Sequence, residues 1–351
     1  MKFLFGVFDW GLGHATRDTP LIKELLKRGH KIDIIATRRA LLILKKNFGN
    51  KCRYFNVSSL YYMYSNSKRF KTKFVLSSIK LARSLKEARK KTEKVIKKGE
   101  YDIIISDCRY DVYDKPENSY LINHQLRFKA FMIGQAILEM WLASRMDKYK
   151  YVLVPDFKNK DLSGKLSHDL RYFDKNKIKY VGVLSNIKKK SIKKDIDYFI
   201  SLSGPEPART LLEESILNQI KDLKGKIVIA GGNPEGKNRK VPENVQYYNF
   251  VNQKKQEDFM NRAKFLIIRA GYTTIMEIAE LGKNALLIPA PGQTEQVYLG
   301  EYLKNKKYFY SVDQYKLNLK KDVEKAKEFK GYKPVWKTKD SVKKIIKLIG
   351  A

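Results

Sequence analysis

Cysteine is scarce in this chain. Its 351 residues include two, Cys52 and Cys108, and neither stands in a paired spacing. That excludes a disulfide framework and a cysteine-zinc cluster, and it fits a reducing, cytoplasmic setting. No apolar run approaches the roughly 20 residues that a membrane-spanning helix needs. Met1-Lys2 leads straight into a short apolar stretch without a small-residue cleavage site, so no signal peptide is expected. No short-period repeat is visible. Acidic residues are few: 37 Asp and Glu stand against 72 Lys and Arg, a formal net charge of +35. Such a charge favours anionic partners: nucleic acid, membrane phosphates or phosphorylated substrates. A general enrichment in Lys, Ile, Asn and Tyr accounts for the same number without any partner.

What is present is alternation. Short apolar runs, "KFLFGVF", "KIDIIAT", "CRYFNV", "DIIISD", "SYLIN" and "YVLVPDF", read as strands in the first half. Helix patterns fall between them at 16–29, 38–48, 75–98 and 127–147. A basic link, "SNIKKKSIKKD" (185–195), interrupts the pattern. It then restarts with "YFISLSG", "GKIVIAGG", "VQYYNFV", "KFLIIRAG", "NALLIPA" and "KYFYSV". Helices are expected at 207–222, 254–263, 273–282 and 295–305. Strands alternating with helices argue for parallel sheets covered on both faces. The expectation is therefore two doubly wound α/β domains, 1–185 and 196–335, followed by a C-terminal helix at 336–351 that packs back on the first. Ligands of such sheets collect outside the carboxyl ends of the strands. The glycine-bearing loops lie there: Gly11-Leu12-Gly13-His14, Ser203-Gly204, Gly231-Gly232 and Arg269-Ala270-Gly271.

The most informative stretch is "RAGYTTIMEIAELGKNALLIPAPGQTEQ" (269–296). A strand ends at Ala-Gly, and a helix starts near Thr273 or Thr274. Gly271 permits close backbone approach, and the free N–H groups of the helix start favour a phosphate. Thr273 and Thr274 add hydroxyl donors. Glu277, one turn on, suits a pair of vicinal ribose hydroxyls. It suits equally a Thr-x-x-Glu capping box, and spacing alone leaves both open. Gln293, Glu295 and Gln296 follow the next strand, where amide and carboxylate groups suit the hydroxyls of a sugar. "TEQ" also reads as an ordinary helix start.

The pattern Arg-x-Gly-x-x-Thr-x-x-Glu, a strand ending in proline and a Gln-rich loop resemble the C-terminal domain of GT-B glycosyltransferases of family 28. That family includes MurG and the plant galactolipid synthases. Gly-x-Gly-His near the N-terminus is a second, weaker match. The resemblance implies the GT-B fold, two Rossmann-like domains facing across a cleft, with the acceptor bound by the first and a nucleotide-sugar by the second. It places Gly271, Thr273 and Thr274 at the diphosphate, Glu277 on the ribose, and Glu295 and Gln296 on the donor sugar. Phe250 or Val251 would meet the uracil edge. Ser203, Gly204, Arg209, Gly232, Arg269 and Gln293 join the expected donor-binding set, Arg209 being equally a solvated helix residue. Gln-Gln in MurG-like proteins stands here as Glu295-Gln296, so the sugar is left open between hexose and N-acetylhexosamine.

His14 then has a chemical reading. An imidazole with a pKa near 6.5 takes a proton from an acceptor hydroxyl at neutral pH, and a helix N-terminus would keep it neutral. Its alternative is a loop histidine that only bonds backbone or orients a phosphate. Asp107, at the end of "YDIIISD", either orients His14 or is itself the base. Gly11, Gly13, Asp111 and His124 are expected on the acceptor side, while His30 and His168 look incidental. No Asp-x-Asp motif lies near a strand end. A metal-independent, inverting transfer from a UDP-sugar to a lipid- or polyprenyl-linked acceptor is expected, with no cofactor.

Residues 60–98 place Tyr61, Tyr62, Met63, Tyr64 and Phe70 before a basic amphipathic helix. Such a segment suits an anionic membrane face, or else a solvated helix with aromatics in the core. Peripheral attachment to the cytoplasmic membrane face follows from the first. The alternatives carried are a nucleotide-sugar epimerase and a non-catalytic nucleotide- or RNA-binding protein. Nucleic acid is the weaker partner, since no aromatic-rich RNA-reading segment is present.

Overall fold

The computed structural model describes residues 1–9, 13–58, 70–127, 132–159, 161–237 and 239–351, and of residues 70–82 and 132–133 the backbone alone. Gly11 and the aromatic segment 61–64 lie outside the described residues. The chain divides into two units. One comprises residues 1–161, 165–186 and 336–351, the other 162–164 and 187–335.

The first unit runs β1 (Lys2–Val7), α1 (Gly13–Lys27), β2 (Lys31–Ala36), α2 (Arg38–Phe48), β3 (Cys52–Asn56), α3 (Phe70–Gly99), β4 (Ile103–Asp107), β5 (Ser119–Ile122), α4 (Met132–Met146), β6 (Tyr151–Val154) and β7 (Ile178–Tyr180). Its strands form one parallel sheet in the order β3-β2-β1-β4-β5-β6-β7. Period-2 alternation splits each inner strand between two cores. Phe3, Phe5, Ile32, Ile34, Ile103 and Ile105 pack with Leu21, Ile22 and Leu25 of α1 and Leu44 of α2. Leu4, Ile35 and Ile104 pack on the opposite face with Ile96 of α3. Both faces are therefore covered, as near-continuous apolar strands require.

The second unit runs β8 (Ile196–Ser201), α5 (Ala208–Gln219), β9 (Ile227–Ala230), β10 (Val245–Tyr248), α6 (Gln253–Arg262), β11 (Ala263–Ile268), α7 (Tyr272–Leu281), β12 (Ala285–Leu287), α8 (Thr294–Asn305), β13 (Tyr310–Ser311) and α9 (Leu319–Lys327). Its sheet is also parallel, in the order β10-β9-β8-β11-β12-β13. Ile200, Ile229 and Ile267 meet Leu212 and Ile216 of α5 and Val323 of α9 on one face. Phe199 points the other way, its ring 5.6 Å from Phe259 of α6.

The last helix, α10 (Thr338–Ile349), belongs to the first unit. Val342, Ile345, Ile346 and Ile349 enter the core of α1 and α2. Trp336 Nε1 donates to Val181 O at 3.2 Å, and Ser185 N to Thr338 Oγ1 at 3.0 Å. Among the described residues no helix is long and apolar enough to cross a membrane.

Candidate active site

Each sheet reverses its strand order once: between β1 and β4 in the first unit, and between β8 and β11 in the second. Loops leave the carboxyl ends of the strands in opposite directions there, which opens a crevice. Several of the residues singled out by sequence lie at these two places.

In the first unit, α1 begins at Gly13, three residues earlier than the periodicity suggests. His14 thus sits in the first turn of a helix and not within a glycine turn. Its Nδ1 lies 3.1 Å from Asp107 Oδ1, at the end of β4. Phe8 meets the imidazole edge-on with ring centroids 5.3 Å apart. No described residue bonds Nε2, and the side chain is 14% exposed. The carboxylate accepts the Nδ1 proton, so Nε2 carries the lone pair.

Asp107 is fully buried and clamped by Arg17, which donates from Nε to Oδ2 at 2.9 Å and from Nη2 to Oδ1. Burial alone would raise the Asp107 carboxyl, but the Arg17 and His14 charges outweigh it and hold it far below the usual range. Such a carboxylate binds a proton weakly, and its contact with Nδ1 orients the His14 ring. For His14, burial pushes the imidazole below 6.5, Asp107 pulls it up and Arg17 pushes it down again. The net lowering favours the neutral ring, with burial the largest contribution.

Arg17 and Asp18 escaped the sequence reading as site residues. Arg17 follows His14 by three residues and therefore shares its helix face, which was the available signal. It is 1% exposed, and Nη1 reaches His124 Nδ1 at 2.8 Å. His124, expected on the acceptor side, is thereby joined to the same cluster, its ring centroid 6.3 Å from that of His14. Asp18 is fully buried beside Asp107. Burial, then the Asp107 charge, pushes its carboxyl well above the usual range, so it is the neutral acid beside the ionised Asp107. Donor atoms of His14, Asp107 and Cys108 lie within 4.8 Å of one another. Arg17 Nη2 already sits on two of the three, donating to Asp107 and, at 3.4 Å, to Cys108 Sγ. The cation of this nest is the guanidinium, and we do not assign these side chains as metal ligands.

Asp111 does not join them. Its carboxylate is buried and taken by Arg109 at 2.6 and 3.1 Å, and Arg109 in turn holds Val57 O. This pair braces the loop after β4. His168 stacks on Tyr180 and faces Asp156, and His30 packs on Phe3, both away from the cluster.

In the second unit, the loops after β8, β11 and β12 bring Ser203, Gly204, Gly271, Thr273, Thr274, Gln293, Glu295 and Gln296 to one edge of the sheet. Gly271 caps α7 with φ −74° and ψ 138°, and no side chain caps the helix start. A methyl group added there would meet nothing nearer than Thr274 Oγ1 at 3.9 Å and Gln296 Nε2 at 4.0 Å. Neither backbone strain nor packing requires this glycine, and the open volume lies over the helix N-terminus. Gln296 is held by Ala290 N at 3.0 Å and by Gln293.

Glu277 settles one open alternative. The helix starts at Tyr272, so Glu277 stands beyond its first turn and no capping box forms. No hydrogen bond or ion pair from the described residues reaches its carboxylate, and burial pushes it up to about 8. A desolvated carboxyl thus stands beside the open start of α7.

Two arginines depart from the expected donor set. Arg269 is 2% exposed and donates to Ser203 O, Pro289 O, Ala208 O and Gln314 Oε1 at 2.9–3.2 Å. It ties three strand-end loops together from below. Arg209, far from being solvated, is buried between Glu206 at 2.5 Å and Glu213 at 2.8 Å, with Gly231 O at 2.9 Å. Both position loops, because their N–H groups are already committed. Gly232 lies at the end of β9, and an added methyl there would strike Leu202 O. Phe250, 49% exposed, and Val251 follow the end of β10.

A family model described as glycosyl transferase family 1 matches residues 1–115, and one described as glycosyltransferase family 28 C-terminal domain matches residues 206–349. The chain is a glycosyltransferase of the GT-B type. Solved structures agree at the level of fold. The glycotransferase of kitacinnamycin is 12% identical over 93% of this chain and 89% of its own, with a TM-score of 0.64. The spinosyn rhamnosyltransferase SpnG complexed with thymidine diphosphate is 13% identical over 100% and 96%, with a TM-score of 0.63. MurG of Acinetobacter baumannii is 13% identical over 100% and 99%, with a TM-score of 0.58. No curated protein sequence matches the chain. The glycosyltransferase reading thus gains on the epimerase and RNA-binding alternatives, neither of which finds support among these relatives. The family 28 resemblance is thus carried by the second half of this glycosyltransferase, while its first 115 residues match the family 1 model.

Proposed function

We propose that this glycosyltransferase moves a hexose or N-acetylhexosamine from a UDP-sugar to a hydroxyl of a lipid-linked or otherwise membrane-associated acceptor, by one inverting displacement without metal. The observation that carries the reading is the His14–Asp107 pair at 3.1 Å. His14 Nε2 takes the proton of the acceptor hydroxyl as its oxygen attacks the anomeric carbon. The bond from that carbon to the diphosphate oxygen breaks, and UDP leaves with the electron pair. Asp107 holds the imidazole in register and stabilises the imidazolium that forms.

The second unit would stabilise the leaving group. N–H groups at the start of α7, over Gly271, and the Thr273 and Thr274 hydroxyls face the growing diphosphate charge. Glu277 would accept the ribose hydroxyls. Ser203, Gly204, Gly232, Phe250 and Val251 would flank the nucleotide, and Gln293, Glu295 and Gln296 the sugar. A bound thymidine diphosphate in SpnG supports a pyrimidine nucleoside diphosphate as leaving group. Metal independence is supported by the nest where a cation would be most useful in the first unit, which Arg17 fills. The one Asp-x-Asp of the chain, Asp195 and Asp197, stands at the start of β8 and pairs with Arg262 and Lys264. The membrane part rests on the described half of α3. Its buried face is Leu85, Ala88, Thr92 and Ile96, and its outer face is lined with exposed lysines.

The test is thermal unfolding with UDP, dTDP, GDP and UDP-sugars, followed by transfer to lipid acceptors. A ligand at 100 times its Kd adds about 2.7 kcal/mol to the native state. UDP or a UDP-sugar should stabilise the wild type and not Glu277→Ala. His14→Ala should lower turnover by about 10²–10⁴-fold while leaving nucleotide affinity within about twofold. Silence towards every nucleotide would overturn the proposal.

A further inference from the structure

We propose that Arg17 is the positioning residue of the first-unit cluster, placing the proton of His14 and the proton of His124 on opposite ring nitrogens and so selecting which of the two imidazoles is the base. The inference rests on the reading of His14 as that base.

Arginine donates five N–H bonds and accepts none. Arg17 Nη1 lies 2.8 Å from His124 Nδ1, so His124 Nδ1 must offer its lone pair and the ring proton sits on Nε2. His14 is fixed the other way. Its Nδ1 faces Asp107 Oδ1 at 3.1 Å, which can only accept, so Nδ1 carries the proton and Nε2 is bare. Two neighbouring rings, tilted 50° to each other, thus present opposite tautomers. The common cause is one buried side chain that touches Asp107 through Nε and Nη2 and His124 through Nη1.

Charge works in the same direction. His14 is faced by Asp107 from β4, by Arg17 on its own helix and by His124 after β5. Arg17 is faced by Asp107, Cys108 and Asp18. Asp107 favours a proton on His14, against burial, which disfavours it more. Arg17 shares that carboxylate and repels the imidazolium, which contributes to the lowered His14 value.

The chain's histidines number four, His14, His30, His124 and His168, which makes ¹⁵N-histidine spectra of the intact protein assignable. The expected result is His14 protonated at Nδ1 and His124 at Nε2. A proton on His124 Nδ1, or a mixture of tautomers on either ring, overturns the proposal. The second measurement is the pH profile of kcat/KM. Arg17→Gln should move the acid limb up by about one unit or more, with the rate recovering at high pH. Arg17→Lys, which keeps the charge, should leave the limb near its wild-type place. A fall of the same factor at every pH in Arg17→Gln would mark a structural role and overturn the proposal. If Arg17→Gln does not fold, the wild-type tautomers decide. If the wild type transfers no sugar, the proposed function fails, while the tautomer assignment stands or falls on the spectra alone.

Discussion

Arg17 and Asp107, ninety residues apart in sequence, form a fully buried ion pair whose carboxylate is shared with His14 at 3.1 Å. The arrangement joins catalysis to stability, because the same oxygen atoms orient the base and neutralise an arginine that water cannot reach.

Asp107→Asn should therefore fail twice. Removing the charge leaves Arg17 buried without its partner, a loss of about 3–5 kcal/mol. It also frees the His14 ring to turn over its tautomers. Denaturant unfolding and steady-state kinetics should both show the defect. Unchanged stability with lost turnover would mean the ion pair is not formed in solution.

Glu277 carries the opposite sign. Its folded value, about 8, lies above its ordinary 4.5. The stabilisation it gives is complete below about 4.5 and is lost as pH rises towards 8, at roughly 1.4 kcal/mol per pH unit as an upper limit. Glu277→Gln should thus be more stable than wild type at pH 8, by about 2 kcal/mol, and no different at pH 4. It should also bind UDP more weakly. Wild-type UDP binding should tighten from pH 6.5 to 8, since ribose hydroxyls donate to the ionised carboxyl. Calorimetry in two buffers would reveal the released proton, and pH-independent binding would remove the assignment.

Gly271→Ala separates ligand space from protein packing. With φ at −74° and no near neighbour, the methyl group fits the unliganded protein. Stability should stay level or rise by up to about 1 kcal/mol. Nucleotide affinity should drop at least about tenfold as the methyl enters the diphosphate volume. Wild-type affinity in this variant would move the phosphates elsewhere.

The basic face of α3 is open to a direct measurement. Lys86, Lys90 and Lys94 are exposed on one side of the helix. Reversing all three to Glu should reduce partitioning onto anionic vesicles by about 100-fold or more, at about 1 kcal/mol per lysine near such a surface. Vesicle binding equal to wild type would leave this helix as a solvated face.

Much of the fold was legible because each inner strand is apolar on both faces, and such runs have few other uses. The pairing of His14 with Asp107 was legible for a related reason: His14 opens the helix that follows β1, Asp107 ends β4, and a doubly wound sheet makes those strands neighbours. The edge strand β7 was missed, being three half-exposed residues without a continuous apolar run. Helix α9 was missed because Lys320, Lys321, Lys325 and Lys327 mask its buried Leu319, Val323 and Ala326. Arg17 and Asp18 were not singled out, and Arg209 was expected at the donor or solvated on its helix, since burial of a charge depends on partners that the local sequence does not contain. Glu277 kept a capping box as its alternative because the helix was expected to begin at Thr273 or Thr274, and its start at Tyr272 removes that alternative.

The closing helix has a consequence for how the protein is made. Val342, Ile345, Ile346 and Ile349 complete a core whose other walls are built from α1, α2 and the first strands. A ribosome that has delivered residues 1–186 has not yet delivered that wall, and some 150 further residues must emerge before it arrives. The first unit begun is thus the last one finished. During translation its apolar surface is exposed to chaperones for as long as the whole second unit takes to be synthesised.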